Sequence, residues 1–188
     1  MTAVPRPDPG PLAAMLAEHE IRGVVLRYCR GIDRRRFDLV RDCYHPDAVD
    51  EHGDFTGTID EFITHCERSL ATYETTTHFV GNIVVDLTDD EHARCETYVT
   101  ALHRVPARGE RPPRDHVVGL RYVDDFEKRD GCWRIATRLC VFDWTRTDPV
   151  QGWQFTQAFR RGHHGDADAV FAPSLTALLH HPPAGDEV

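Results

Sequence analysis

Several absences narrow the reading of this 188-residue chain before any motif is considered. Its six cysteines (Cys29, Cys43, Cys66, Cys95, Cys132 and Cys140) include no CxxC pair. That argues against both a disulfide framework and a thiolate metal site, and the cysteines read as reduced thiols of a cytoplasmic protein. No apolar run is long enough for a signal peptide or a membrane span, so no membrane partner is expected. No Lys/Arg cluster is interleaved with aromatics, and with 31 acidic against 22 basic side chains the net charge of −9 repels phosphate backbones. Nucleic acid is excluded as a partner on that ground. There are twelve histidines, but no HExxH, no zinc-type Cys/His spacing and no acidic calcium loop, so no metal site is expected. A GxSxG elbow and a glycine-rich phosphate loop are also missing, which removes serine hydrolase and nucleotide-dependent chemistry.

What is present has the length of one domain. The proline-rich opening MTAVPRPDPG reads as a disordered arm over residues 1–10, with the folded domain over 11–148 and a partly disordered C-terminal extension over 149–188. Within that extension, Gln151 to Arg161 reads as a short element and the terminal HHPPAGDEV as disordered. Leu12, Met15, Leu16, Ile21, Val24, Val25, Tyr28, Cys29 and Ile32 recur at steps of three and four, which predicts one amphipathic helix. Phe37, Val40 and Tyr44 predict a second, short helix ended by His45-Pro46. Thr58-Ile59-Asp60-Glu61 has the form of a capping box opening a third.

The period then changes to two. Phe79, Ile83, Val85 and Leu87 are expected on one strand face and His78, Val80, Asn82 and Val84 on the other. A long second strand alternates Ala93, Cys95, Thr97, Val99, Ala101 and His103 with Arg94, Glu96, Tyr98, Thr100 and Leu102. The charged, proline-rich PARGERPPRD loop leads to a strand at about 115–127, an Asp130-Gly131 turn and a last strand from Cys132 to about Trp144. Three helices followed by four hairpin-connected strands predict an α+β fold, with the helices packed on one face of an antiparallel sheet.

Five side chains are candidates for chemistry. Asp33 continues the i, i+4 ladder of Val25 and Cys29, at the end of the inward stripe; it either caps the helix and pairs with Arg34-Arg35-Arg36 or serves a site. His78 lies among Phe79, Val80, Ile83 and Val84. It is either a satisfied core histidine or a general base whose tautomer an adjoining carboxylate would fix. His103 alternates with small side chains, as if facing a cavity, or else reaches solvent at a strand end. Arg138, alternating with Ala136 and Cys140, either pairs structurally or stabilises an oxyanion. Tyr28 lies on the inward stripe with a phenol that needs a partner.

The run YCRGIDRRRFDLVRDCYHPDAV, a capped helix and then THFVGNIVVDL resemble the SnoaL-like and scytalone dehydratase-like branch of the NTF2-like superfamily. Tyr28, Asp33 and His78 match the motif of bile-acid 7α-dehydratase-like proteins; Arg138 and His103 stand where relatives carry an arginine and a second histidine. The chain departs from scytalone dehydratase at Ile32 and at Asp50-Glu51-His52, where that family has tyrosines. The resemblance implies a cone-shaped fold, no cofactor, a small hydrophobic substrate and a homodimer or homotrimer. It implies a dehydratase acting on an alicyclic, polyketide-like or steroid-like hydroxy-carbonyl compound, with a polyketide cyclase or ketosteroid-type isomerase, or a non-catalytic binding or partner subunit, as alternatives. In the dehydratase reading His78, oriented by Asp33, removes a proton, Tyr28 and Arg138 hold the enolate oxygen, and His103 protonates the departing hydroxyl.

Overall fold

The structure is a computed structural model that describes residues 10–150 and 159–179. The expected arm, most of the element at Gln151 to Arg161 and the terminal HHPPAGDEV lie outside the described residues, Gly10 apart. Helix α1, Pro11–Asp33, begins with proline in its first turn, where the missing N–H is no loss. Its buried face runs through Ile21, Val24, Val25, Tyr28, Cys29 and Ile32. Leu12, Met15 and Leu16, expected to join that stripe, are exposed. The apolar period therefore runs on past the buried part of the helix. Helix α2, Phe37–Arg41, packs closely on α1 at Gly31, where a Cβ would stand 2.8 Å from Val40 Cγ2.

The short helix stops earlier than its apolar spacing predicts. Tyr44 opens strand β1, Tyr44–His52, which forms a hairpin with β2, Phe55–Thr58. His45-Pro46 therefore sits inside a strand, in the stretch between Tyr44 and Val49 where the register shifts, a position that tolerates a residue without an N–H. Helix α3, Ile59–Leu70, starts with the predicted capping box, Thr58 and Glu61 each satisfying the other's backbone N–H. Four long strands follow: β3 Thr75–Leu87, β4 His92–Val105, β5 Arg114–Arg129 and β6 Cys132–Pro149. The β5–β6 turn has positive φ at both Asp130 and Gly131, which matches the right-handed twist of a two-residue hairpin.

The sheet order is β2-β1-β6-β5-β4-β3. The α+β class is as expected, with two features that local periodicity does not show: the β1–β2 hairpin, and the parallel pairing of β1 with β6. Helices α1 and α3 cover one face, and the core lies between them and the inward rows of the strands.

Two bulges decide which side chains face that core. In β3, Val80 pairs with Val99 but Ile83 pairs with Thr97, so Gly81-Asn82 adds one residue to the strand. Strict alternation fails there: His78 and Val80 share the inner face with Ile83, Val85 and Leu87, while Phe79 and Val84 point outward. In β6 the same device at Ala136 puts Arg138 and Ile135 on the inner face together.

Candidate functional site

The C-terminal end of α1 delivers Asp33 to the first turns of β3. One carboxylate oxygen, Oδ1, accepts hydrogen bonds from Thr76 Oγ1 at 3.0 Å and from the ring Nδ1 of His78 at 2.7 Å. The other, Oδ2, accepts from the backbone N–H of His78 at 2.9 Å. The contact fixes the His78 tautomer, because an ionised carboxylate only accepts and Nδ1 must carry the proton. Nε2 is left with its lone pair and makes no hydrogen bond among the described residues. Burial opposes the charge on Asp33, yet the His78 ring, its N–H and Thr76 together hold the carboxyl below its ordinary value.

The neighbouring arginines do not pair with Asp33 side chain to side chain. Arg34 lies 3.3 Å from Asp168, and Arg36 binds Asp38 and Asp166. Arg35 adopts a left-handed backbone (φ 51°) and donates to the carbonyls of Leu70 and Tyr73, clasping the end of α3. The segment carrying Asp166 and Asp168 is further held by Phe171, whose ring meets the guanidinium groups of Arg30 at 4.8 Å and Arg36 at 4.7 Å.

His103, on β4, meets the His78 ring edge to face with centroids 5.8 Å apart, and the Tyr73 ring lies tilted against it with centroids 4.9 Å apart. Burial, followed by the nearby His78, lowers its pKa from 6.5 to about 4, so the ring is neutral at pH 7.

Tyr28 and Arg138 form a second cluster, five residues back along α1 from Asp33, or about 7.5 Å of helix rise. Arg138 is fully buried and makes two parallel hydrogen bonds of 2.7 Å to Asp124 on β5. Its guanidinium carbon lies 4.1 Å from the ring centroids of both Tyr28 and Tyr122. Burial works against the arginine's charge, and Asp124 sustains it. Tyr44 donates to Asp50 at 2.7 Å, and Asp50 stands opposite Arg138 across the β1–β6 pairing. Burial raises the pKa of Tyr28, Tyr44 and Tyr122, so these phenols keep their protons.

Sequence reading missed Thr76, Tyr44, Asp50, Tyr122 and Asp124. Asp124 had a readable signal: Leu120, Tyr122, Asp124 and Phe126 alternate on the inner face of β5, and a carboxylate in such a row requires a buried cation. Among the described residues, no group of three or more His, Cys, Asp or Glu side chains is placed to hold a metal. No described helix is long and apolar enough to cross a membrane.

A curved sheet closed on one side by three helices, with a carboxylate–histidine pair inside, defines a cone-shaped α+β protein with an interior polar site. The profile of the SnoaL-like domain matches residues 13–139, and the chain belongs to that family. Among solved structures it is similar to a protein provisionally named scytalone dehydratase from Novosphingobium aromaticivorans: 22% identity over 76% of this chain and 94% of that one, with a TM-score of 0.66. It is also similar to a type 2 hexachlorocyclohexane dehydrochlorinase, with 17% identity, 78% and 97% coverage and a TM-score of 0.67. The type 3 enzyme from Novosphingobium barchaimii shares 15% identity, with 78% and 99% coverage and a TM-score of 0.67. No curated protein sequence matches the chain.

Proposed function

We propose that this protein is a cofactor-independent lyase that removes water from a small hydrophobic, alicyclic hydroxy-carbonyl compound of polyketide-like or steroid-like type. The observation that carries the reading is the 2.7 Å Asp33–His78 contact, which holds Nδ1–H on the carboxylate and leaves Nε2 as the basic nitrogen. Nε2 takes the proton next to the carbonyl, and the bonding pair moves into an enolate. In this reading Tyr28 and Arg138, from the second cluster, hold that oxygen; Arg138 Nη1 is buried with no hydrogen-bond partner among the described residues and is the donor left for it. The enolate then re-forms the carbonyl as the C–O bond at the β position breaks, and the imidazolium of His78 returns its proton to the departing oxygen as water. Carbon gains a double bond, and the protein ends as it began.

A proton supplied by His103 would require an imidazolium, which burial and His78 disfavour. We assign His103 instead to a neutral hydrogen bond on the leaving oxygen. The names of the similar structures, a dehydratase and dehydrochlorinases, support elimination as the reaction type. Each acid–base role typically contributes 10²–10⁴ in rate, roughly 3–5 kcal/mol. The test is a panel of cyclic β-hydroxy ketones followed by conjugated-enone absorbance. Turnover that His78→Gln removes and that a chelator leaves unchanged is expected. Equal turnover by wild type and His78→Gln would refute the assignment.

The outer face of the sheet exposes Phe79, Tyr98 and Trp144, and we propose it as the homodimer interface. Ile135 does not contribute to that face: the Ala136 bulge turns it into the core, where it is buried.

A further inference from the structure

A pocket of about 230 Å³ is lined by residues that include Tyr73, Arg108, Arg111, Arg114 and His116. Two contacts join it to the proposed catalytic centre. Tyr73, on its wall, contacts the His103 ring, which meets His78. His116 pairs directly with His103 across β4 and β5. The loop that carries Arg108 and Arg111 is tied by reciprocal backbone hydrogen bonds between these two residues, of 3.0 and 3.2 Å, which place both at one turn.

The charge here is out of character for the chain. With a net charge of −9, many arginines elsewhere hold a carboxylate, as Arg94 holds Asp125, Arg121 holds Glu96 and Asp143, and Arg129 holds Asp47. Arg108, Arg111 and Arg114 form no salt bridge among the described residues. Arg114 donates only to the ring Nε2 of His116, at 3.1 Å. Asp115, the adjacent carboxylate, is committed to Arg104. Three arginines lining one concavity offer fork-shaped guanidinium donors suited to planar or tetrahedral oxyanions.

We propose that this pocket binds an anionic group, a carboxylate or a phosphate ester, carried by the substrate at the end remote from the reacting carbon. The inference rests on the proton-transfer reading for its link to turnover; the anion site itself stands without it. A substrate anchored here and reacting at His78 would pass over the Tyr73–His103 wall, so the arginines select compounds with an anionic appendage.

The binding test needs no turnover. Inorganic phosphate and acetate are titrated separately into the protein at constant ionic strength, and the imidazole resonances of His116 and His103 are followed by NMR. Saturable shifts are expected with at least one anion and not with chloride. Affinity should fall roughly tenfold or more in Arg108→Gln/Arg111→Gln, and by less in Arg108→Lys/Arg111→Lys, which keeps the charge but not the fork. Stronger binding of phosphate points to a phosphate ester and stronger binding of acetate to a carboxylate. Absence of a saturable shift with either anion overturns the proposal, as does equal binding by wild type and the glutamine variant. Because His78→Gln is read by turnover and the anion titration is not, failure of the catalytic reading leaves this result intact, and the reverse also holds.

Discussion

Replacing Asp33 by asparagine separates a catalytic dyad from a structural one, because the geometry dictates how the amide must sit. The carboxylate accepts on both sides, from the His78 backbone N–H at Oδ2 and from His78 Nδ1 and Thr76 Oγ1 at Oδ1. Asparagine has one accepting oxygen and one NH₂ with two donor hydrogens. The backbone N–H cannot change character, so the amide oxygen must face it and the NH₂ must face Nδ1 and Thr76. Thr76 Oγ1 can accept, and the ring can accept only by moving its proton to Nε2. The variant therefore keeps its hydrogen bonds but locks the nitrogen needed as base into its protonated form.

The stability change is the difference between charged and neutral hydrogen bonds, about 1 kcal/mol or a fall in melting temperature of roughly 2–4 °C. The rate loss is that of a general base, about 10²–10⁴. Nitrogen NMR of labelled histidine reads the tautomer directly, and single-turnover kinetics read the rate. A His78 ring still protonated at Nδ1, or a near-wild-type rate with Nε2 protonated, would defeat this reasoning.

Three further outcomes are expected. His103 has a folded pKa of about 4, below its unfolded value, so the unfolded state binds more protons between pH 6.5 and 4. Its contribution, about 3 kcal/mol, is complete above pH 6.5 and lost as the pH falls through that window; His103→Gln should flatten the melting-temperature profile there, and an unchanged slope would contradict this. Arg138→Met strands the buried Asp124 charge and should cost about 3–5 kcal/mol by chemical denaturation, with Arg138→Met/Asp124→Leu recovering most of it; a double variant no more stable than the single one would show that the pair is not the cause. Phe79→Glu puts a carboxylate at a residue 74% exposed on the outer sheet face, and sedimentation should show a shift towards monomer; a wild type already monomeric at micromolar concentration would remove the proposed interface.

The parts of this fold that were legible in the sequence are those set by local chemistry. The Thr58–Glu61 cap, the Asp130-Gly131 turn and the alternation of Ala93 to His103 all appear as read, because each depends on neighbours in the chain. Asp33 and His78 could be named separately from helical and strand periodicity, but their contact spans 45 residues and no spacing rule reaches that far. Strand β1 was hidden because Phe37, Val40 and Tyr44 continue a helical period, and only pairing with β6 draws Tyr44 into extended backbone. Asp50 was hidden with it, since in a run that also holds Asp47 and Glu51 nothing marks which carboxylate will stand opposite an arginine.

The bulge at Gly81-Asn82 makes β3 a strand with two reading frames. Upstream of it the even-numbered residues Thr76, His78 and Val80 look inward; downstream, the odd-numbered Ile83, Val85 and Leu87 do. Loss of either bulge residue would leave one frame for the whole strand. The apolar trio packs against the core, so that half would keep its address and the upstream half would turn over. Phe79 would then enter the interior, and His78 would emerge on the convex side, out of reach of Asp33. An indel of one residue at this point is thus equivalent to deleting the imidazole, though every side chain of the dyad would still be encoded.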